Sequence, residues 1–183
     1  MRLMLFPNNL KRHFTGKLSI TRLAFFALAC MLLTACGVYT FKDVSIPPEI
    51  KTVKVNFIEN KARLVNPRLS PALTDRLQQK IVSQTRLSRT NSDDADWVIS
   101  GNVTDYNVTT SGISAQQAST NRLTVVVQMS LKDNKTNKTT DYSVNKSFDF
   151  ASNLSLQQAE AQLGDELIKG VTDEIFNRIF SNW

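Results

Sequence analysis

The chain has 183 residues, with 22 basic and 16 acidic side chains, a net charge of +6, one histidine and two cysteines. That length suits a single domain, able to bury a core without disulfide or metal staples. The histidine is His13 and the cysteines are Cys30 and Cys36, and those positions decide which chemistries survive.

Residues 1–35 read as a lipoprotein leader. The basic residues Arg2, Lys11, Arg12, Lys17 and Arg22 come with no acid, and an eleven-residue apolar run follows from Leu23 to Leu33. That run is too short to cross a hydrocarbon core about 30 Å thick as a helix. It fits a secretory leader. Leu33-Thr34-Ala35-Cys36 then resembles a lipobox, in which cleavage falls before the cysteine and a diacylglycerol and an N-acyl chain are attached to it. A plain signal cut elsewhere and an uncleaved N-terminal anchor are the alternatives. Removing 1–35 takes away five basic residues and no acid, leaving 17 basic against 16 acidic, a net charge of +1. The positive balance that would point to nucleic acid or to acidic lipid goes with the leader. So does the histidine, and the remaining cysteine is the lipidated one. His triads, Cys–His nucleophiles and Cys/His zinc sites are excluded from the mature chain. A carboxylate pair or an oxygen-ligated cation survives.

After Cys36, residues 36–50 read as an extended tether ending in Ile46-Pro47-Pro48-Glu49, because adjacent prolines stiffen a chain. Residues 51–183 read as one domain. A strand is expected over Thr52–Ile58, where Val53, Val55 and Phe57 alternate with polar residues. Glu59–Pro67 reads as a loop. A helix is expected from Ser70 as N-cap and Pro71 as first helical residue, with Leu73, Leu77 and Ile81 on one face and its end near Thr85. Leu87–Thr90 reads as a short strand. Asn91–Asp96 reads as a turn whose acids, Asp93, Asp94 and Asp96, lack the spacing of a calcium loop.

Trp97–Val108 reads as a strand whose parity changes between Val103 and Tyr106, which predicts a bulge or close backbone approach near Gly101–Asp105. Thr109–Thr120 reads as a polar loop. Leu123, Val125, Val127, Met129 and Leu131 give the clearest alternation in the chain. Asp133–Lys138 is a turn, and Tyr142–Phe150 is a strand with Tyr142, Val144, Phe148 and Phe150 on one side. The last element is a helix over Leu156–Phe180, with Leu163, Leu167, Val171, Ile175 and Ile179 as its apolar stripe. Gly164 and Gly170 are explained there by close packing on the sheet. The order β-α-β-β-β-α, with strands polar on one parity, predicts an α+β two-layer sandwich: a mostly antiparallel four-stranded sheet with two helices on one face.

Several segments carry a family resemblance: Cys36-Gly37-Val38-Tyr39-Thr40-Phe41, Ser45-Ile46-Pro47-Pro48, Leu64-Val65-Asn66-Pro67, Ala95-Asp96-Trp97-Val98-Ile99-Ser100-Gly101, Asn121-Arg122-Leu123 and Ile175-Phe176-Asn177-Arg178-Ile179-Phe180-Ser181-Asn182-Trp183. In this order they resemble the lipopolysaccharide-assembly lipoproteins, the LptE family, in its short, divergent branch. The resemblance implies a two-layer fold and a lipoprotein at the periplasmic face of the outer membrane. It implies a job inside the lumen of the LptD β-barrel translocon, helping that barrel assemble and assisting lipopolysaccharide transport.

No catalytic residue, cofactor or metal ligand is expected, and the lipidated Cys36 is the one chemically defined position. Lipopolysaccharide is a polyanion, and Arg122, Lys132, Lys135 and Lys138, with Arg89 beside them, are candidates for charge-assisted bonds to its phosphates. Simple solvation of those side chains is the competing reading. Two other functions remain open: a different periplasmic lipoprotein module, such as a secretin pilot or a regulator of wall synthesis, and an enzyme using Asp93, Asp94, Asp96, Asp105 or Asp141. The last is weak, because nothing sets these carboxylates in the unequal environments an acid and a base need.

Overall fold

In a computed structural model, which describes residues 46–114 and 117–181 and the side chains outside 113–119, the elements are β1 (Thr52–Val55), β2 (Glu59–Asn60), α1 (Leu69–Gln84), β3 (Ser88–Arg89), β4 (Trp97–Ser114), β5 (Gln117–Asp133), β6 (Lys138–Ala151) and α2 (Leu156–Phe180). The expected leader, Cys36 and most of the expected tether lie outside the described residues. The architecture is the expected α+β arrangement of two helices on a sheet. α1 lies over β2 and β3, α2 lies over β5 and β6, and the helices touch each other.

The sheet is larger than expected and mixed. It has six strands in the order β3-β1-β4-β5-β6, with β2 also on β4. The pairs β1–β3, β1–β4 and β2–β4 are parallel, while β4–β5 and β5–β6 are antiparallel. Parallel pairing follows from α1, since a chain that crosses back through a helix returns in the same direction. β2 and β3 are two residues each, too short to show a period.

The bulge is present where the parity changes. Val103 pairs with Val127 and Asp105 with Val126, so Thr104 is the extra residue. It lets Trp97, Ile99 and Val103 before it, and Tyr106 after it, all enter one core. Gly101 marks a close approach: a Cβ there would lie 2.3 Å from Met129 Sδ and 3.1 Å from the Gln128 carbonyl oxygen. The polar segment after Val108 is not a loop. β4 runs on to Ser114 and β5 begins at Gln117, so the two strands extend as a ribbon past the end of β6, which stops opposite Thr120.

The helices start differently from each other. α2 opens on a capping box: Gln158 N–H donates to Ser155 Oγ, and Ser155 N–H donates to Gln158 Oε1. α1 begins at Leu69 with Arg68 as N-cap and no side-chain cap. Ser70, the expected cap, is instead inside the helix and 5% exposed. The turn into α1 is made by Asn66, whose Oδ1 accepts from Arg68 N–H and whose carbonyl accepts from Leu69 N–H. Thr74 then ties the helix to the sheet, accepting from Ile58 N–H and donating to the Ser70 carbonyl. The last residues expected of the tether are also part of the domain. Ile50 is buried and closes a turn onto the Pro47 carbonyl, and Arg86 donates to the carbonyls of Ile46 and Pro47.

The apolar stripe of α2 is buried throughout: Leu163, Leu167, Val171, Ile175, Phe176, Ile179 and Phe180 meet the inner parity of β4, β5 and β6. Gly170 packs closely, with a Cβ position 3.1 Å from two Phe148 ring carbons. Gly164 does not; a Cβ there would meet nothing within 4 Å.

Candidate functional site

Strand alternation that fills the core on one side leaves the opposite side of the sheet uncovered. Its surface is built from hydroxyls and amides that bond across strands. Asn56 Nδ2 donates to Ser100 Oγ at 2.9 Å, Gln128 Nε2 donates to Ser143 Oγ at 2.9 Å, and Thr124 and Ser147 share a bond of 3.0 Å. A shallow hollow of about 340 Å³, lined by Ser100, Asn102, Gln128, Ser130 and Asp141, lies in this face. Such a surface offers hydrogen bonds in both directions.

The basic candidates do not gather in one place. Arg122 stands ten residues up β5 from Lys132, about 34 Å at roughly 3.4 Å per residue. Lys132, Lys135 and Lys138 share the β5–β6 turn end, where Asp133 pairs with Lys138 and Lys132 with Thr139. Arg122 is already engaged: its Nε and Nη2 donate to Asp149 Oδ1 and Oδ2 at 2.7 and 3.0 Å. The pair holds Asp149 below the usual carboxylate range and raises Arg122. Lys135 lies 2.9 Å from Asp96 Oδ1. Among the described residues Lys132 and Lys138 are in no ion pair, and Arg89 donates to Gln78 Oε1.

The carboxylates are structural. Asp96 accepts from Lys51 N–H, Thr52 N–H and Thr52 Oγ1, which fastens the start of β1 to the start of β4. Lys135 first, and then those amide donors, hold its carboxyl well below the ordinary value. Asp93 binds Lys54, and Asp105 accepts from Asn107. Asp141 pairs with Ser130 across β5 and β6 and lines the hollow in the open sheet face. No group of three His, Cys, Asp or Glu side chains suited to a metal occurs among the described residues, and Asp93 and Asp96 of the 93–96 turn bond lysines and backbone amides.

A groove of about 640 Å³ runs between the 66–72 segment and the first half of α2. Leu69, Ala72, Leu167 and Ile168 line it with apolar surface, and Arg68, Glu160 and Asp165 supply charge. Glu160 is fixed by the buried Tyr106, whose hydroxyl donates to its Oε1 at 2.7 Å. Gly164 also lines the groove. Its open surroundings are the signal that packing alone did not explain both glycines.

A family model described as LptE, Lipopolysaccharide-assembly, matches residues 50–179. The chain belongs to the LptE family. The match spans β1 to the last turn of α2, so both the open sheet face and the groove lie on LptE-family structure. No curated protein matches the chain. Among solved structures, the LptE-family domain is similar to rare lipoprotein B from Shewanella oneidensis, at 11% identity over 70% of this chain and 90% of that one, with a TM-score of 0.44. It is also similar to the PelC dodecamer protein from Paraburkholderia phytofirmans, at 14% identity over 72% of this chain and 88% of that one, TM-score 0.45. A third is lipoprotein GNA1162 from Neisseria meningitidis, at 12% identity over 67% and 99%, TM-score 0.38. Likenesses this distant say nothing of function.

Proposed function

We propose that this LptE-family protein is a non-enzymatic outer-membrane lipoprotein that sits in the lumen of an LptD-type β-barrel, helps it assemble and assists lipopolysaccharide transport to the surface. The family match over 50–179 carries the reading. The open sheet face supports it physically. The inside of a membrane barrel is polar, and a plug for it needs hydrogen-bonding side chains such as Asn102, Gln128 and Ser130 more than apolar ones. Cys36 is the proposed lipidation site, and residues 1–35 the leader removed before it.

Lipopolysaccharide contact by Arg122, Lys132, Lys135 and Lys138 stays within the proposal in altered form. Lys132 and Lys138 offer unpaired charge at the β5–β6 turn, whereas Arg122 and Lys135 must first leave Asp149 and Asp96. Charge removal at all four positions with no loss of lipopolysaccharide binding would refute that contact.

The decisive experiment is a pull-down of the native lipoprotein from envelope extracts. A large outer-membrane barrel should copurify in near-stoichiometric amount. Recovery of a secretin or a wall-synthesis enzyme in its place would favour the other periplasmic modules and overturn the reading. In parallel, Cys36→Ser should abolish acyl labelling.

A further inference from the structure

Three strands put polar side chains in two adjacent rows on the open face of the sheet. Ser100 pairs with Ser130 and Ser130 with Asp141, while Asn102 pairs with Gln128 and Gln128 with Ser143. Members of a row stand about 4.8 Å apart and the rows about 7 Å apart. The first row is low because two of its members are serines. Longer side chains flank it, with Asn102 and Gln128 on one side and Lys132, which pairs with Val98 and Thr139, on the other. That difference in length makes the hollow of about 340 Å³.

Asp141 is the one charged side chain that lines the hollow. Elsewhere on the sheet and its turns carboxylates are met by cations: Asp93 by Lys54, Asp96 by Lys135 and Asp149 by Arg122. Asp141 is in no ion pair among the described residues. Gln128 engages Ser143 through its Nε2, which leaves its Oε1 turned to other donors. The hollow therefore offers a carboxylate beside side-chain oxygens, a set of acceptors matched to a positively charged donor. In water Asp141 is solvated. Under a covering surface it becomes a desolvated carboxylate, which is costly unless a cation meets it. A protein wall seated on this face has to bring that cation with it.

We propose that the hollow seats an arginine or lysine side chain that projects from the wall of the barrel partner. Its stem lies over Ser100 and Ser130, and its head meets the Asp141 carboxylate and Gln128 Oε1. Arginine suits the site best, because its planar fork can engage both carboxylate oxygens at once. The identity of the partner rests on the plug reading, and the chemistry of the contact rests on the hollow. Lys132 is the alternative source of charge from within the chain. It lies diagonal to Asp141, at about 7–8 Å between backbones, but it does not line the hollow and pairs with no carboxylate.

The test copurifies the barrel with the full lipoprotein from envelope extracts. D141K should lower barrel recovery by about tenfold or more, and the isosteric D141N by a smaller factor. S130Y, which fills the floor with a residue suited to a strand, should lower it as D141K does. Urea midpoints of the isolated variants should match wild type, and a drop that parallels the lost recovery makes Asp141 structural and overturns the inference. Wild-type recovery by D141K and S130Y also overturns it and leaves the plug reading standing. A wild-type protein that recovers no barrel fails the plug reading and takes this inference with it. K132A should keep the barrel, and a loss equal to that of D141N makes Lys132 the cation and overturns the contact. A photo-crosslinker at Ser143 then locates the facing barrel segment. Glutamate in place of its basic residue, combined with D141K, should restore recovery, and absence of rescue refutes the pairing.

Discussion

Gly164 and Gly170 lie on the same helix and should answer alanine in opposite directions. Replacing a helical glycine by alanine gains about 0.8–1 kcal/mol through backbone entropy. At Gly164 nothing lies within 4 Å of the new Cβ, so the gain is undiminished. At Gly170 the Cβ would sit 3.1 Å from Cε1 and Cζ of Phe148, closer than the 3.5–4.0 Å or so of a favourable carbon contact. Phe148 is itself 6% exposed and has little room to retreat, so overpacking of about 1–3 kcal/mol opposes the gain. The net expectation is about +1 kcal/mol for Gly164→Ala and between roughly 0 and −2 kcal/mol for Gly170→Ala. For a domain of this size 1 kcal/mol moves Tm by roughly 3–5 °C. Thermal and urea unfolding followed by circular dichroism read both changes. Equal stabilisation by the two alanines, or destabilisation by Gly164→Ala, would refute the packing argument and the open groove with it.

Further predictions concern the sheet and its attachments. Tyr106→Phe should cost about 1–2 kcal/mol at neutral pH by removing the bond to Glu160. Burial first, and then the Glu160 carboxylate, push the Tyr106 phenol up from its ordinary value of 10.0. Wild type therefore keeps this contribution below pH 10 and loses it as pH rises further, and the gap to Y106F in urea midpoint should close above that pH. Asp96→Ala should lower the urea midpoint at pH 7. Because the folded carboxyl lies below its unfolded value of 3.8, the wild-type advantage is full above about pH 4 and shrinks as the pH falls below it. An advantage independent of pH between 2 and 7 would remove the charge from that account. Deleting Thr104, the extra residue, should leave Asp105 opposite Val126 and Tyr106 opposite Val125 with Tyr106 still facing the core, so the chain should keep its cooperative melt; loss of that melt would show that the bend made by the bulge is required.

Several elements were legible from residue order. The α2 stripe from Leu163 to Ile179 and the β5 alternation from Leu123 to Leu131 are long enough for periodicity to overcome local noise. The parity change between Val103 and Tyr106 announced the bulge. Ser70 misled because it has the chemistry of a cap, while Asn66 makes the turn earlier and draws Ser70 inside. The ribbon beyond Thr109 was missed because an uncovered hairpin arm has no apolar period. The basic candidates were chosen by charge alone, but whether a cation is available depends on register: Asp149 faces Arg122 only because β5 and β6 pair as they do.

Residue order by itself determined the chemistry open to this protein. With His13 and Cys30 in the proposed leader and Cys36 as the proposed lipid site, a chain cut there has no histidine and no free thiol to work with, and the segment order points to the LptE family. Periodicity also determined which faces of the strands and helices turn inward, since burial acts on each element separately. Only the tertiary structure decided the parallel pairing of β1, the availability of Asp141, and the groove that Gly164 keeps open. These depend on contacts between segments far apart in the chain, and no local pattern records them.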